Sequence, residues 1–517
     1  MRLSAGVRLL VIVGAVILTI NVVGSVQAAA PTVKSVLSIR PHAALSGVKS
    51  VLSIRPHAAL PGVKSVLSIR PHAALSGVRP AFPIRPPVPT PTAAPAPLPL
   101  APATGSIPGW LHTNGTRIVD ASGAAVRLAA INWYGAEGTD FVPGGLAYRP
   151  YMDILRTIKK LGFNTIRLPF SNWLVDYNPI VRLHLEANPQ FKNMHALDIL
   201  DRVIDGARRV GLMVILDNHR SGPGWTAQEN GLWYSLPRFT PQGWIADWVT
   251  VARRYANNPA VIGFDLRNEP HSRGPGEELV SQGYLQLGAT WGPFNGVDNP
   301  ATDWRLAAER AGDAIQTVNP RVLIIVEGVE IYPYKNLLTG PACPYNIPAT
   351  NGYCADLYWW GGNLEGAKQY PVVLNVPHQL VYSAHEYGPN MHGQRWIVPT
   401  MTEATWQQEM YVHWGYLLQA VGPNAAPVWI GEFGTPTHSV RDVQDLHGAS
   451  QGAWFHALIA YLKQNVDVGW GYWSINGTRS GSSARYYGQR DSFGVLTTDW
   501  AHLSLSPLLK SLHQITP

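Results

Sequence analysis

Charged residues are scarce in this chain of 517 residues, since Asp, Glu, Lys and Arg together make up 14% of it. Acidic residues are absent from the first 106 positions, which hold ten Lys and Arg. Taking those ten from the 40 basic residues leaves 30 against 33 acidic ones, so the formal net charge of +7 comes from the N-terminal segment. The remainder lacks the basic face that binds phosphate backbones, which argues against nucleic acid as a partner.

Cysteine is also scarce, with two in the chain, Cys343 and Cys354. So few cysteines exclude a disulfide-rich scaffold, and neither has a ligand-type neighbour at the spacing of a zinc site. An isolated pair in a secreted chain most often forms a disulfide, so we predict that these two are bonded to each other. His-x-His and His-Glu-x-x-His motifs are missing too, and we therefore predict no metal and no cofactor.

The chain has one long apolar run, Leu9–Val23, which follows Arg2 and Arg8. This run is too short for a comfortable membrane span, and the small residues of Val26-Gln27-Ala28 fit a cleavage site. We therefore predict a signal peptide over residues 1–30 and a secreted protein. The alternative is an uncleaved membrane anchor.

Residues 31–106 combine a basic repeat with a Pro- and Ala-rich stretch. A unit of 15 residues begins at Lys34, Lys49 and Lys64, and a decayed copy begins at Arg79. The units have few large side chains, and stacked structural repeats usually have longer periods. The segment is therefore predicted to be a disordered spacer. The alternative is a tether that binds weakly to an acidic cell surface or wall.

Apolar β-rich runs alternate with helical patterns over residues 107–517. The runs are Val126–Trp133, Phe163–Leu168, Leu212–Leu216, Val261–Leu266, Val322–Val326, Leu380–Ser383, Val428–Ile430 and Gly469–Trp473. Helical patterns between them include Tyr151–Leu161, Ala196–Arg209 and Ala301–Val318. Eight buried strands alternating with helices predict an α/β fold, a (β/α)8 TIM barrel. An open doubly wound sheet is the alternative, but no Gly-rich phosphate loop follows the first strand, which disfavours its nucleotide-binding form.

Polar and aromatic residues follow all eight runs, where a barrel places its active site. Two of these residues are carboxylates, Glu269 after the fourth run and Glu432 after the seventh. Hydrolysis of a glycosidic bond requires such a pair, because one protonates the leaving oxygen while the other attacks the anomeric carbon or activates water. Glu327 and Glu386 also lie at strand ends, but neither lies in a comparable motif.

The motifs around these residues resemble those of family 5 glycoside hydrolases. Leu266–Pro270 is similar to the Asn-Glu-Pro signature of that clan, and Ile430–Gly434 is similar to the strand that bears its nucleophile. Further motifs that resemble the family or its bacterial cellulases are Asn164–Pro169, Ser383–Tyr387, Tyr358–Leu364 and Tyr472–Asn476. The resemblance extends from Ile107 to the C terminus, and it implies a glycosidase barrel.

The resemblance implies that Glu269 is the acid/base and Glu432 the nucleophile. The residues expected to bind substrate or support catalysis are Arg167, His219, Asn268, His385, Tyr387, Trp473 and Trp233. Asn268 is placed to bond the sugar 2-hydroxyl, an interaction that strengthens at the transition state. Sugar rings stack on aromatic faces, which points to Trp473 as a platform and to Trp233 as a further candidate.

Four of these residues are expected to act on the carboxylates. Arg167 keeps Glu432 ionised in this interpretation, and Tyr387 donates a hydrogen bond to the same carboxylate. His219 and His385 are expected to orient the substrate or the carboxylates.

The function predicted from the sequence is hydrolysis of internal β-1,4-glucosidic bonds in cellulose or related β-glucans by double displacement. The predicted enzyme is a monomer whose partner is its polysaccharide substrate. The same chemistry on mannan, xylan or mixed-linkage glucan is the nearest alternative. A noncatalytic carbohydrate-binding wall protein is disfavoured because a binding protein needs no such pair of carboxylates. An intracellular barrel enzyme such as an aldolase is disfavoured because no suitable lysine follows a strand.

Overall fold

A computed structural model describes residues 6–13, 16–23, 105–273, 288–293, 298–335, 347–350, 353–481 and 486–517. Within residues 1–90, the strands Gly6–Val13 and Val16–Val23 pair antiparallel. The other described elements belong to the unit of residues 91–517. The predicted repeats, the spacer up to residue 104 and the side-chain pairing of Cys343 with Cys354 lie outside the described residues. These features and the signal peptide stay predictions.

Eight parallel strands close into a barrel in the larger unit. In chain order they are β1 (Ala129–Asn132), β2 (Thr165–Ser171), β3 (Met213–Arg220), β4 (Val261–Asp265), β5 (Leu323–Glu327), β6 (Leu380–Tyr387), β7 (Val428–Gly434) and β8 (Gly469–Tyr472). Each strand pairs with the next, and β8 closes the ring against β1, with Trp470 opposite Ala129. The predicted TIM barrel is therefore confirmed, with one strand at each predicted run.

Helices connect the strands. They are α1 (Tyr151–Lys160), α2 (Asn172–Tyr177), α3 (Ala196–Arg209), α4 (Pro241–Tyr255), α5 (Trp304–Gln316), α6 (Glu403–His413), α7 (Arg441–Gln444), α8 (Gln451–Gln464) and α9 (Ser506–Leu512). Short 3-10 helices span Pro189–Phe191, Glu365–Lys368 and Gly415–Gln419. The three predicted helical patterns correspond to α1, α3 and α5. On α1, the apolar spacing buries Ile154, Leu155 and Ile158 on one face, as expected for a helix packed on a sheet.

Several barrel strands run further than their apolar pattern predicts. The sequence pattern ends the third strand at Leu216, whereas β3 continues through Asp217 to Arg220 with every residue buried. Asp217 pairs with Pro169 on one neighbouring strand and with Asp265 on the other. Polar residues at the mouth of this barrel therefore belong to the strand ladder, which holds functional side chains more firmly than a loop would.

A hairpin of His112–Asn114 and Arg117–Val119 precedes β1. Its Ile118 joins a buried cluster with Met213, Ile262 and Trp429 from the barrel strands. The hairpin therefore adds apolar residues to the core of the barrel.

The segment between β5 and β6, residues 328–379, is named the β5–β6 insertion. It contains a sheet of three strands, Ile331–Lys335, Ile347–Thr350 and Tyr353–Leu357, with Tyr353–Leu357 in the middle.

Among the helices of the described segments, none has the length and apolarity needed to traverse a bilayer.

Asn164 joins β1 to β2 through its side chain. Its Oδ1 accepts a hydrogen bond from the backbone N–H of Ala129 at 2.9 Å, and its Nδ2 donates to the carbonyl of Arg127 at 2.9 Å. We expect Asn164→Ala to lower the free energy of unfolding by about 1–3 kcal/mol, because both backbone groups lose a partner. Denaturant unfolding measures this loss. Asn424→Ala, on an exposed turn before β7, is the control, and equal losses in the two variants would contradict the prediction.

Candidate active site

The Arg167 guanidinium, on β2, is fully buried and is shared by side chains from five other strands or their ends. Its carboxylate partners are Glu432 at 2.6 Å, Asp265 at 2.9 Å, Asp217 at 3.1 Å and Glu327 at 3.1 Å. It also donates to the amide oxygens of Asn132 and Asn268, each at 3.0 Å. A guanidinium presents its donors in a fixed plane, so these contacts fix the relative positions of the groups around it.

Glu432, on β7, is held at both carboxylate oxygens. Oε1 contacts Arg167, and Oε2 accepts a hydrogen bond from the Tyr387 hydroxyl at 3.0 Å. Burial favours the neutral form of this carboxyl, but the positive charges of His385 and Arg167 outweigh it and lower the pKa of Glu432 below its usual value. Glu432 is therefore ionised at neutral pH, the state that a nucleophile requires.

Glu269 lies just after β4 with its side chain 16% exposed. Its Oε1 is 3.2 Å from Nδ1 of His385, and carboxylate oxygens of Glu269 and Glu432 lie within 4.8 Å of each other. Burial raises the pKa of Glu269 to about 7; the hydrogen bond from His385 opposes this rise, and the negative charge of Glu432 adds to it. The two glutamates therefore have opposite pKa shifts, which is the pattern of an acid beside a nucleophile.

The backbone at Glu269 adopts a left-handed conformation, with φ of 50°. A residue with a side chain pays about 1 kcal/mol or more for this geometry, so neighbouring groups must hold it. The Glu269 N–H donates to Oε2 of Glu327 at 2.7 Å. Gly361 backs the turn, since a Cβ at this position would lie 2.3 Å from Oε2 of Glu327 and 3.2 Å from Cα of Glu269.

His385 and His219 have different electrostatic environments. His385 lies 3.1 Å from Oε1 of Glu327 through Nε2, and 3.2 Å from Oε1 of Glu269 through Nδ1. Burial opposes its protonation, but the surrounding glutamates raise the pKa of His385 well above its usual value. His219 pairs its Nδ1 with Asp217 at 2.6 Å, and burial lowers its pKa well below the usual value. We infer an imidazolium at His385 and a neutral imidazole at His219.

The other carboxyl groups around Arg167 differ from Glu432 in the direction of their pKa shifts. Burial raises the pKa of Asp217 and Asp265 to about 7 and that of Glu327 to about 8, despite the nearby cations. Among the four carboxyl groups around Arg167, Glu432 is therefore the one with a lowered pKa. Asp217, Asp265 and Glu327 are close enough to share a cation, but Arg167 already supplies positive charge to all three.

Trp473, at the end of β8, lies beside His219 and Tyr134 and is 8% exposed. The ring centroids are 5.6 Å from His219 and 5.0 Å from Tyr134, with nearly parallel planes. The Asn268 side chain uses Oδ1 to accept from Arg167, so a bond to a sugar hydroxyl would come from its Nδ2. The structure thus brings both residues to the same barrel mouth as the glutamates.

Trp233 is placed differently from the expectation. Its side chain is 1% exposed and packs with Trp244 and Trp304, at centroid distances of 6.3 and 5.7 Å. Its buried faces do not support the predicted role of a stacking platform, which stays a prediction. The apolar surface of the indole is used to fill the core instead, which is the commoner fate of a tryptophan.

Asn132, Asp217 and Asp265 were assigned no role from the sequence, and Glu327 was set aside. Asp265 lies inside an apolar run, and a charged residue in a buried strand requires a partner. The burial of Asp265 therefore called for a cation from another predicted strand, and Arg167 is such a cation. Glu386 points elsewhere, since its Oε1 accepts from the Tyr358 hydroxyl at 2.7 Å and from Nε1 of Trp414 at 2.5 Å.

The chain is similar to known cellulases over most of its length. The family model for cellulases of glycosyl hydrolase family 5 matches residues 119–479. An endoglucanase of Paenibacillus polymyxa is 38% identical over 407 residues, which are 78% of this chain and 86% of that protein. The major extracellular endoglucanase of Xanthomonas campestris pv. campestris is 33% identical, over 78% of this chain and 70% of that protein. An endocellulase of Pyrococcus horikoshii, solved with cellotetraose, has a TM-score of 0.63 and 33% identity, covering 80% of this chain and 100% of that one.

The negative charge of Glu432 contributes to the raised pKa of Glu269. We expect the pKa of Glu269 to fall below about 7 in Glu432→Gln, because the amide keeps the shape and removes the charge. Carbon-13 NMR titration of glutamate-labelled protein measures this pKa, with the signal assigned through Glu269→Gln. The exposed Glu186 provides the control substitution Glu186→Gln, which should leave the pKa of Glu269 unchanged. An unchanged pKa in Glu432→Gln would show that the two carboxyls do not interact.

Proposed function

The chain belongs to glycosyl hydrolase family 5 and is a glycosyl hydrolase, and we propose that it is a secreted endo-β-1,4-glucanase that retains anomeric configuration. The observation that carries this proposal is the pair of glutamates at the ends of β4 and β7. One is held ionised and the other has a pKa of about 7.

Retention is supported by the spacing of the two glutamates. Retaining glycosidases hold their carboxyl groups about 5–5.5 Å apart, whereas inverting ones need about 6.5–9.5 Å to admit a water molecule. One oxygen of Glu269 lies within 4.8 Å of one oxygen of Glu432, a close approach of two atoms that supports the shorter spacing. This gap favours direct attack by a carboxylate over attack by a water placed between the carboxylate and the sugar.

In the first step, the proton of Glu269 passes to the glycosidic oxygen while a carboxylate oxygen of Glu432 attacks the anomeric carbon. The bond to the leaving sugar breaks, and a glycosyl ester forms on Glu432. Arg167 and Tyr387 keep the attacking carboxylate oriented through their contacts with its two oxygens.

In the second step, Glu269 is ionised and takes a proton from water. The hydroxide oxygen bonds to the anomeric carbon, and the ester bond to Glu432 breaks. Two inversions give net retention, and both glutamates return to their initial protonation states. The pKa of about 7 at Glu269 suits this exchange, since neither form is strongly favoured at neutral pH.

The choice of a β-1,4-glucan is supported by the relatives, which are named endoglucanase and endocellulase, the latter solved with cellotetraose. The apolar faces of glucose rings stack on aromatic side chains, and Trp473 lies in the same mouth as the glutamates.

Secretion is supported by the apolar run Leu9–Val23 after Arg2 and Arg8. The intact mass of the extracellular form tests the predicted removal of residues 1–30.

The purified chain is assayed on soluble cellulose, mannan, xylan and mixed-linkage glucan by release of reducing ends. We expect release from soluble cellulose, with an early fall in viscosity because internal bonds are cut. Glu432→Gln should lower turnover by more than about 10³-fold, since a residue required for bond formation is lost, while Glu186→Gln should retain it. Release from mannan or xylan alone would agree with the proposed mechanism but contradict the proposed β-1,4-glucan substrate. No release from any polymer would contradict the proposed function.

A further inference from the structure

Three ionisable residues outside the catalytic mouth form a second buried cluster, named the His413 cluster: His413, Asp356 and Glu365. Asp356 lies on the middle strand of the β5–β6 insertion, Glu365 begins a 3-10 helix, and His413 is the last residue of α6. One ligand atom from each residue lies within 4.8 Å of those from the other two. The cluster therefore joins three segments that are distant in sequence.

The His413 ring is fixed from two sides. Its Nδ1 lies 2.7 Å from the carbonyl oxygen of Glu409, a distance at which Nδ1–H donates, and its ring stacks on Tyr358 at 3.7 Å. A histidine that binds a metal usually donates its other N–H in this way, which leaves the second nitrogen with a lone pair. Nε2 of His413 is buried and has no hydrogen-bond partner among the described residues, although it faces Asp356 and Glu365.

The distances within the His413 cluster are long for hydrogen bonds. Nε2 is 3.5 Å from Oδ2 of Asp356 and 3.9 Å from Oε1 of Glu365. Charge-assisted hydrogen bonds are about 2.7–2.9 Å long. Ligand atoms at the corners of a tetrahedron around zinc, with bonds of about 2.0–2.1 Å, are about 3.4 Å apart. The observed separations are nearer to those of ligands around an ion than to those of atoms bonded to each other.

In contrast to the sequence-based prediction of no metal, we propose that the His413 cluster binds a divalent transition-metal ion of the Zn²⁺ class. The ligands are Nε2 of His413 and one carboxylate oxygen each from Asp356 and Glu365, with water as the fourth ligand. Two carboxylates neutralise the charge of the ion, and one imidazole with two carboxylates is a donor set that zinc accepts. Calcium requires six to eight oxygen ligands, which this cluster does not offer.

Asn363 supports the proposed ligand geometry. Its Nδ2 donates to Oε1 of Glu365 at 3.2 Å, and its Oδ1 accepts from the Glu365 N–H at 3.0 Å. Such outer contacts orient carboxylate ligands. An ion here would fasten the β5–β6 insertion to α6, and this insertion carries Gly361, which packs behind the Glu269 turn. The role of the ion is therefore to stabilise the insertion, and it takes no part in the bond-breaking steps.

A proton on Nε2 is the competing occupant. Burial lowers the pKa of His413, but Asp356, Glu365 and Glu409 outweigh it and raise the pKa to about 9 in the absence of an ion. An imidazolium paired with these carboxylates would need no metal. Metal content and proton binding are therefore the quantities that separate the two accounts.

The full-length protein is stripped with chelator, incubated with Zn²⁺ and passed over a desalting column, and its metal content is then measured by mass spectrometry. We expect about one retained Zn²⁺ per chain in the wild type and a melting temperature that rises with added Zn²⁺. His413→Gln and Asp356→Asn should each weaken zinc binding by more than about tenfold. Asp356→Asn removes charge at constant shape, so it tests the site even if His413→Gln folds poorly.

His456→Gln is the matched control. His456 is about half exposed and lies 3.5 Å from Glu403, the same separation as between His413 and Asp356, with no third ligand among the residues that the structure describes. The His456→Gln variant should bind zinc as the wild type does. If the wild type retains no zinc, the cluster holds only a protonated His413 paired with its carboxylates, and the proposal is overturned. Unchanged zinc binding in both His413→Gln and Asp356→Asn would also overturn it, because the ion would then lie elsewhere.

Discussion

The buried guanidinium of Arg167 is the interaction on which the barrel mouth depends. Four carboxyl groups surround one permanent cation, at distances of 2.6 to 3.1 Å. Burial opposes the ionisation of all four, and the nearby positive charges offset this effect to different extents. The pKa values of Asp217, Asp265 and Glu327 rise while that of Glu432 falls. Arg167 therefore does more than neutralise the interior, because its shortest contact is to the carboxylate that the proposed mechanism requires in its ionised form.

The same network positions Glu269, the proposed proton donor, through its backbone. Glu327 uses one oxygen to bind Arg167 and the other to accept from the N–H of Glu269. This contact holds Glu269 in a left-handed conformation, with Gly361 leaving the space that the turn requires. Glu327 is thus a positioning residue that links the guanidinium beside the proposed nucleophile to the backbone of the proposed acid.

Much of this arrangement could be predicted from the sequence. Buried runs alternating with helices specify the barrel, and the motifs around Glu269 and Glu432 specify where its chemistry lies. Strand ends were harder to predict, because β3 continues through Asp217, a residue whose burial depends on contact with Arg167. The role of Trp233 was hard to predict for a related reason. Stacking on a sugar and packing against Trp304 use the same apolar face, and composition does not distinguish them.

The central claim is that Glu432 attacks the anomeric carbon while Arg167 holds it ionised. Its most direct test is trapping with a 2-deoxy-2-fluoro cellobioside that carries a good leaving group, followed by peptide mapping of the labelled protein. The electronegative fluorine slows both steps and the leaving group restores the first, so a glycosyl ester should accumulate. The account predicts one label per chain, on the peptide that contains Glu432. A label on Glu269, or turnover of this substrate with no covalent adduct, would contradict it.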